Sequence, residues 1–387
     1  MSRPTRTAVI TGCGVVSPLG VGVRAFWEGL VAGRSAVAAI EGFPADDLTP
    51  RAAAEVRAPG FADPDRAGAF ALRAASEAVA AARLEGVLPT RIGIALGTTL
   101  GGMRIFEAWC PGGRGSSGLE RIPYFAPAVR LARALGCCGP VATTQLACAS
   151  GTHAVALAAE WVRTGQADAV LAGGTDLLCR FVVSGFNALR ATAEVARPFD
   201  RDRRGLVLGE GAAVVVVEAE EHARRRGASV RARILGLGAA ADAVHMTAPD
   251  REGHGAARAM SAALADAALP PEAVDFVSAH GTGTPYNDAM EAVALGRVFG
   301  QRRVPIDSIK GAIGHTLGAA GAFEVVVCTE TLASGVIPPT AGLAHVDPAC
   351  AALDLVHGTA RTARVDVALS TSSGFAGTNA ALVLGRE

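Results

Sequence analysis

Lysine is almost missing from this chain of 387 residues: 35 of its 36 basic residues are arginine, and the one lysine is Lys310. Surface charge tolerates that exchange, because either side chain serves as a solvated cation. A site built for a compact ammonium does not tolerate a planar guanidinium. A charge excess is missing as well. The 36 basic residues balance 36 acidic ones, which excludes a global basic field for nucleic acid. No apolar run approaches the roughly 20 residues of a spanning helix without a charge, glycine or proline breaking it. The first apolar stretch, Ala8 to Ile10, is too short for the core of a signal peptide. A cytoplasmic protein without a membrane partner is expected, its hydrophobic residues buried in a large core or a subunit interface. The eight cysteines include no C-x-x-C pair, and adjacent Cys137 and Cys138 lack zinc-ligand spacing. Neither a disulfide framework nor a metal site is expected. G-x-S-x-G, H-E-x-x-H and the P-loop are absent, and GCGVVSPLG lacks dinucleotide-binding spacing.

What is present reads as alternating strands and helices. Apolar runs with little alternation occur at 7–11, 92–95, 169–172, 213–218, 230–237, 274–279, 304–309, 365–370 and 381–384. Such runs mark strands buried on both faces. Helical patterns lie between them at 66–82, 127–135, 152–163, 255–267, 288–298 and 319–334. The class is therefore α/β. The segment 152–163 is apolar on nearly every face, so a helix buried all round between two sheets is expected. That suggests five layers. The order of elements looks doubled, with halves at 1–227 and 228–387, although no sequence repeat is evident.

Four segments carry candidate chemistry. In TTQLACASGTHAV, Cys148 precedes a helix whose unpaired N–H groups and positive end favour thiolate. A buried structural cysteine is the plain alternative. In VSAHGTGTPYND, His280 follows a strand, and Thr282 and Thr284 offer hydroxyls to a passing polar chain; a loop-tethering histidine is the alternative. In DSIKGAIGHTLGAAGAFE, Lys310 ends a strand, His315 lies five residues on, and Glu324 is on the following helix. The solitary lysine sits where an accidental survivor has no reason to be. In STSSGFAGTNAALVLG, a glycine-rich turn separates two strands. It could aim a backbone N–H into a site, or be a plain hairpin turn.

These segments, in this order, resemble the elongating β-ketoacyl-acyl-carrier-protein synthases, the ketosynthase branch of the thiolase superfamily. The resemblance also includes TAVITGCGVVSPLG, LAGGTD, RPFDRDRRGLVLGEGAAVVVVE and DAVHMTAPD, and so covers nearly the whole chain. It implies the thiolase fold, five-layered α-β-α-β-α with two duplicated halves, and a homodimer or a heterodimer of like subunits. It implies decarboxylative Claisen condensation with malonyl carrier protein, in fatty-acid or polyketide biosynthesis. Cys148 matches the acyl-accepting nucleophile, His280 and His315 the two histidines, and Lys310 and Glu324 their charged partners. Phe375 matches the residue whose N–H joins that of Cys148 in an oxyanion hole. Thr282 and Thr284 match the pair that binds phosphopantetheine, which arrives on the acyl carrier protein; no tightly bound cofactor is implied. The family's last turn usually reads N-S-F-G-F-G-G-T-N. Here Thr371, Ser373 and Ala376 replace an asparagine, a phenylalanine and a glycine, which bears on pocket shape and gating. A basic entrance for the acidic carrier is expected from Arg66, Arg73, Arg201, Arg203 and Arg204. Two other readings stay open: a non-elongating, chain-length-factor-like partner subunit, which would lack the nucleophile, and a thiolase-fold acyltransferase that forms esters or hydrolyses thioesters.

Overall fold

The computed structural model describes residues 6–84, 87–110 and 118–387. Ten of the twelve strands that pair into one sheet, among the described residues, build the central scaffold: β1 (Ala8–Ser17), β2 (Ile92–Gly97), β3 (Val141–Thr144), β4 (Ala169–Asp176), β5 (Gly211–Ala219), β6 (Ala232–Ala241), β7 (Phe276–Ser278), β8 (Pro305–Asp307), β9 (Val367–Gly374) and β10 (Thr378–Gly385). Every residue of β1, β4 and β5 is buried, the state that their unbroken apolar runs imply. The strand β3 (VATT) escaped the sequence reading because four residues, half of them threonine, carry no periodic signal.

From the centre outward, the first half is ordered β1-β5-β4-β2-β3 and the second β6-β10-β9-β7-β8. One topology is used twice. The two halves meet where β1 pairs with β6 over three residues, Ala8–Ile10 against Ala232–Ile234. Each half also uses glycines to seat a helix on its first strand. A Cβ at Gly12 or Gly14 would overlap the carbonyl of Ala78 or Ala74, and one at Gly236 or Gly238 the carbonyl of Ala263 or Ala259. The two G-x-G pairs are a short repeat that the sequence reading missed.

The main helices are α1 (Arg66–Ala82), α2 (Ala126–Leu135), α3 (Ser150–Arg163), α4 (Arg180–Ala188), α5 (His254–Asp266), α6 (Pro285–Phe299) and α7 (Ala320–Ser334). Asp65 caps α1 by accepting from Gly68 N, and the Thr284 hydroxyl caps α6 by accepting from Asn287 N. Helices α1 and α2 cover the outer face of the first sheet, and α5 covers that of the second. Helices α3 and α7 pack on each other between the sheets. The layers are α-β-α-β-α.

One expectation about the middle layer is corrected. Helix α3 buries one face, with Ala154, Val155, Ala158, Ala159 and Val162 inside, while Leu157 and Trp161 stay part-exposed. The helix enclosed all round is α7, where Ala320 to Thr329 are all buried. The segment Leu317–Ser334 is long and apolar enough to cross a membrane by composition, but 83% of it is buried as a core helix.

Candidate active site

Cys148 stands on a sharp elbow between β3 and α3. Ala147 adopts the left-handed conformation at φ 48°, which a residue with a Cβ holds only when its surroundings impose it. The surroundings here are hydrogen bonds. Ser150 Oγ accepts from Leu146 N at 2.8 Å and donates to Ala147 O at 2.6 Å. Thr378 Oγ1 donates to Leu146 O at 3.1 Å. The thiol reaches the wall of a cavity of about 330 Å3 and is 7% exposed.

The expected ready thiolate is not what the site holds. Burial pushes the Cys148 thiol up to about 12. Lys310 is the strongest influence in the other direction, and the Phe375 N–H also pulls the value down by hydrogen-bonding to the sulfur. The helix starts two residues beyond the sulfur-bearing residue, at Ser150.

His280 and His315 line the same cavity, their rings edge to face with centroids 5.3 Å apart. Both are at least 97% buried, and burial together with the nearby Lys310 charge holds both well below the ordinary imidazole range. They are neutral at pH 7. Lys310 Nζ lies 3.3 Å from His280 Nδ1, and the Leu317 N–H donates to His315 Nδ1 at 3.3 Å. With Nδ1 an acceptor in each ring, the network assigns the ring proton to Nε2 in both. The cavity wall thus carries two neutral N–H donors.

Lys310 and Glu324 stand behind the histidines and do not line the cavity. Lys310 opens a short helix at Lys310–Ile313, three residues past the end of β8 that was expected to carry it. Nζ pairs with Glu324 Oε1 at 2.5 Å, and Glu324 Oε2 accepts from Ser372 Oγ at 3.1 Å. The lysine is 2% exposed and the glutamate 0%. The turn between β9 and β10 brings Phe375 over the elbow, its ring stacked on Phe186 of α4 at 5.6 Å. Thr282 and Thr284 line the cavity with their hydroxyls 2.9 Å apart.

Two carboxylates escaped the sequence reading. Glu291 accepts from His280 N at 2.7 Å, from Gly281 N at 2.8 Å and from Thr371 Oγ1 at 3.0 Å; burial pushes it up to about 7. Asp288 accepts from Phe199 N at 2.7 Å and from Thr282 N at 3.1 Å. Both lie in the first turns of α6, three residues apart, so both face the loop that leads into the helix. That spacing was the available signal.

The arginine expectation is corrected in part. Arg66 is internal: it pairs with buried Glu210 at 2.5 Å and donates to Phe61 O and Val56 O. Arg203 is 5% exposed, pairs with Asp347 at 2.5 Å and donates to Asp200 O, Thr284 O and Pro285 O. Arg73 and Arg201 are exposed but do not line the cavity. Arg204 does line it, beside Arg190, which was not anticipated. Among the described residues, no group of three or more His, Cys, Asp or Glu is placed to hold a metal.

Residues 5–223 match the family model described as the β-ketoacyl synthase N-terminal domain, and residues 231–344 the C-terminal domain. The chain is 38% identical to 3-oxoacyl-[acyl-carrier-protein] synthase 2 of Coxiella burnetii, over 98% of this chain and 99% of that one. It superposes on the ishigamide ketosynthase/chain length factor with a TM-score of 0.93 and 36% identity, covering 99% and 100% of the two chains. It superposes equally on a ketosynthase bound to the hexaketide and in complex with its type II polyketide acyl-carrier protein. There the TM-score is 0.94, the identity 31% and the coverage 99% and 100%.

Proposed function

Since the chain belongs to the β-ketoacyl synthase family, we propose that its own residues carry a decarboxylative Claisen condensation on carrier-protein thioesters, in fatty-acid or type II polyketide biosynthesis. The observation that carries this reading is that two neutral imidazoles, His280 and His315, line one cavity together with Cys148.

Cys148 takes an acyl group from the phosphopantetheine arm of the carrier. The thiol is protonated at rest, so its proton leaves as sulfur attacks and ends on the departing carrier thiol. The tetrahedral oxyanion is held by the N–H groups of Cys148 and Phe375. A malonyl carrier protein then enters along Thr282 and Thr284. Its C–CO2 bond breaks, and the electron pair moves onto the thioester oxygen as an enolate. That oxygen meets the two Nε2–H donors. Neutral imidazoles suit the task, because their protons stay in place while the enolate forms. The enolate carbon attacks the acyl thioester, the C–S bond breaks, and the departing Cys148 thiolate takes a proton from solvent. Lys310 and Glu324 act through His280, with the ammonium keeping Nδ1 an acceptor.

The presence of Cys148 on its elbow sets this chain apart from a partner subunit without a nucleophile. We place the division between the halves at residues 227 and 228, and the carrier entrance at Arg190 and Arg204. The protein acts in the cytoplasm as a homodimer or as a heterodimer with a ketosynthase-like subunit. The test is malonyl-dependent CO2 release. His280→Ala and His315→Ala should each lower it by about 10²-fold or more, the usual effect of removing one oxyanion donor. Release at the wild-type rate from both variants overturns the assignment.

A further inference from the structure

Behind the Lys310–Glu324 pair lies a buried polar row that the reaction does not use. Ser278 on β7 is in register with Asp307 on β8 and with Ser370 on β9. In-register residues of neighbouring strands stand on one face, about 4.8 Å apart. All three are at most 1% exposed. Four of the seven buried side-chain atoms that lack a hydrogen-bond partner, among the described residues, belong to this row: Ser278 Oγ, both Asp307 oxygens and Ser370 Oγ. Elsewhere the buried acids are richly served; Asp176, for one, accepts from Thr98, Thr99, Leu100 and Gly318.

An ionised carboxylate with no better donor than one serine hydroxyl, Ser278, that falls short of good hydrogen-bond geometry is among the costliest groups to bury. Asp307 is therefore held as the neutral acid. Burial pushes it up to about 8, with Glu324 adding to the rise while the Ser278 hydroxyl and Lys310 oppose it. The groups near enough to act on it are Ser278 from β7, Glu324 and Cys328 from α7, and Lys310 from the segment after β8. Cys328 stays a thiol, since burial raises it well above the ordinary range. The charge arithmetic of this enclosed space is one ammonium against one carboxylate, Glu324, as long as Asp307 keeps its proton.

We propose that Asp307 is a positioning residue for the condensation: as a neutral acid behind Lys310 it leaves Glu324 as the only ion-pair partner, which keeps Nζ within reach of His280 Nδ1. The inference rests on the roles given above to Lys310 and His280. Ionisation of Asp307 places a second negative charge behind the ammonium and draws Nζ away from the imidazole. Condensation then falls as pH rises through about 8.

The experiment measures β-ketoacyl product formation by the purified enzyme, with acyl and malonyl carrier protein, from pH 6 to pH 9.5. Asp307→Asn keeps the shape of the side chain and removes the charge. Its alkaline limb is expected to move up by about one pH unit relative to the wild type. Asp307→Ser, a smaller replacement, should shift the limb the same way and serves if the asparagine variant folds poorly. Melting temperature supplies a second readout. Asp307 binds its proton more tightly folded than unfolded, so its contribution is full below the unfolded carboxyl value and is lost as pH rises toward about 8. The melting temperature of Asp307→Asn should therefore gain on the wild type across that window. Superimposable alkaline limbs overturn the proposal. So does loss of condensation at pH 7 by a stably folded Asp307→Asn, which would mean that the ionised carboxylate is needed. His280→Ala serves as a control. Condensation at the wild-type rate in that variant refutes the histidine reading itself, whatever the Asp307 profiles show.

Discussion

Replacing Lys310 by arginine asks why one lysine remains in a chain that uses arginine everywhere else. The ammonium is wedged 2.5 Å from Glu324 Oε1 and 3.3 Å from His280 Nδ1, with a side chain only 3% exposed. A guanidinium keeps the charge but carries two more heavy atoms in a rigid plane. Overpacking a closed interior costs about 1–3 kcal/mol, and the soft side of this pocket is the His280 ring. Displacing a catalytic group by about 1 Å costs about 10²-fold, or about 2.7 kcal/mol of transition-state stabilisation at about 1.36 kcal/mol per tenfold. Condensation needs the histidine donors, so it should fall by about that factor. Acylation should suffer less, because a cation still stands where Lys310 offsets the desolvation of the Cys148 thiol. The assay compares the rate of acyl-adduct formation, by mass spectrometry, with the rate of β-ketoacyl product, on a variant of known melting temperature. Condensation at the wild-type rate would refute the packing argument and make the surviving lysine an accident. Equal loss of both steps would refute the separation of roles.

Cys148→Ala should form no acyl adduct while still releasing CO2 from malonyl carrier protein; an adduct on that variant would name another nucleophile. His280 and His315 are both depressed well below the ordinary imidazole value, so their contribution to stability is present above about pH 6.5 and is lost as pH falls, because only the unfolded chain takes up the protons. The melting temperature of His315→Gln should therefore fall less steeply than that of the wild type between pH 7 and pH 5, and parallel curves would contradict the burial of neutral rings. Arg190→Glu and Arg204→Glu should raise KM for the carrier protein and flatten its salt dependence without changing the melting temperature. Arg203→Ala should instead destabilise the fold by about 3–5 kcal/mol, read by denaturant unfolding, because it leaves Asp347 and buried Asp288 without their cation.

Much of the site was legible in the chain because its parts are local. Cys148 one residue from a helix cap, His315 five residues after Lys310, and two threonines following His280 are short-range patterns that tertiary packing preserves. The strands were legible for a related reason: buried on both faces, they tolerate few polar residues. Helix α4 (RFVVSGFNA) was not, because adjacent valines in a nine-residue helix imitate a strand. Strand β3 was too short to show a period.

By itself the amino-acid order determined the α/β class, the doubled rhythm of elements, and the candidates for the site: Cys148, the two histidines and the lone lysine. Each depends on a residue and its near neighbours. The tertiary structure alone decided the charge states. Cys148 reads as an activated thiol beside a helix, yet burial by distant segments pushes it up to about 12. Arg66 and Arg203 read as a docking surface, yet each is spent on a carboxylate 144 residues away in the same chain. Glu291 and Asp307 show nothing special in one dimension, and become a loop anchor and a buried acid once the strands align. The physical reason is common to all of them. Desolvation and ion pairing depend on what surrounds a group on every side, and in this fold that enclosure is assembled from both halves of the chain.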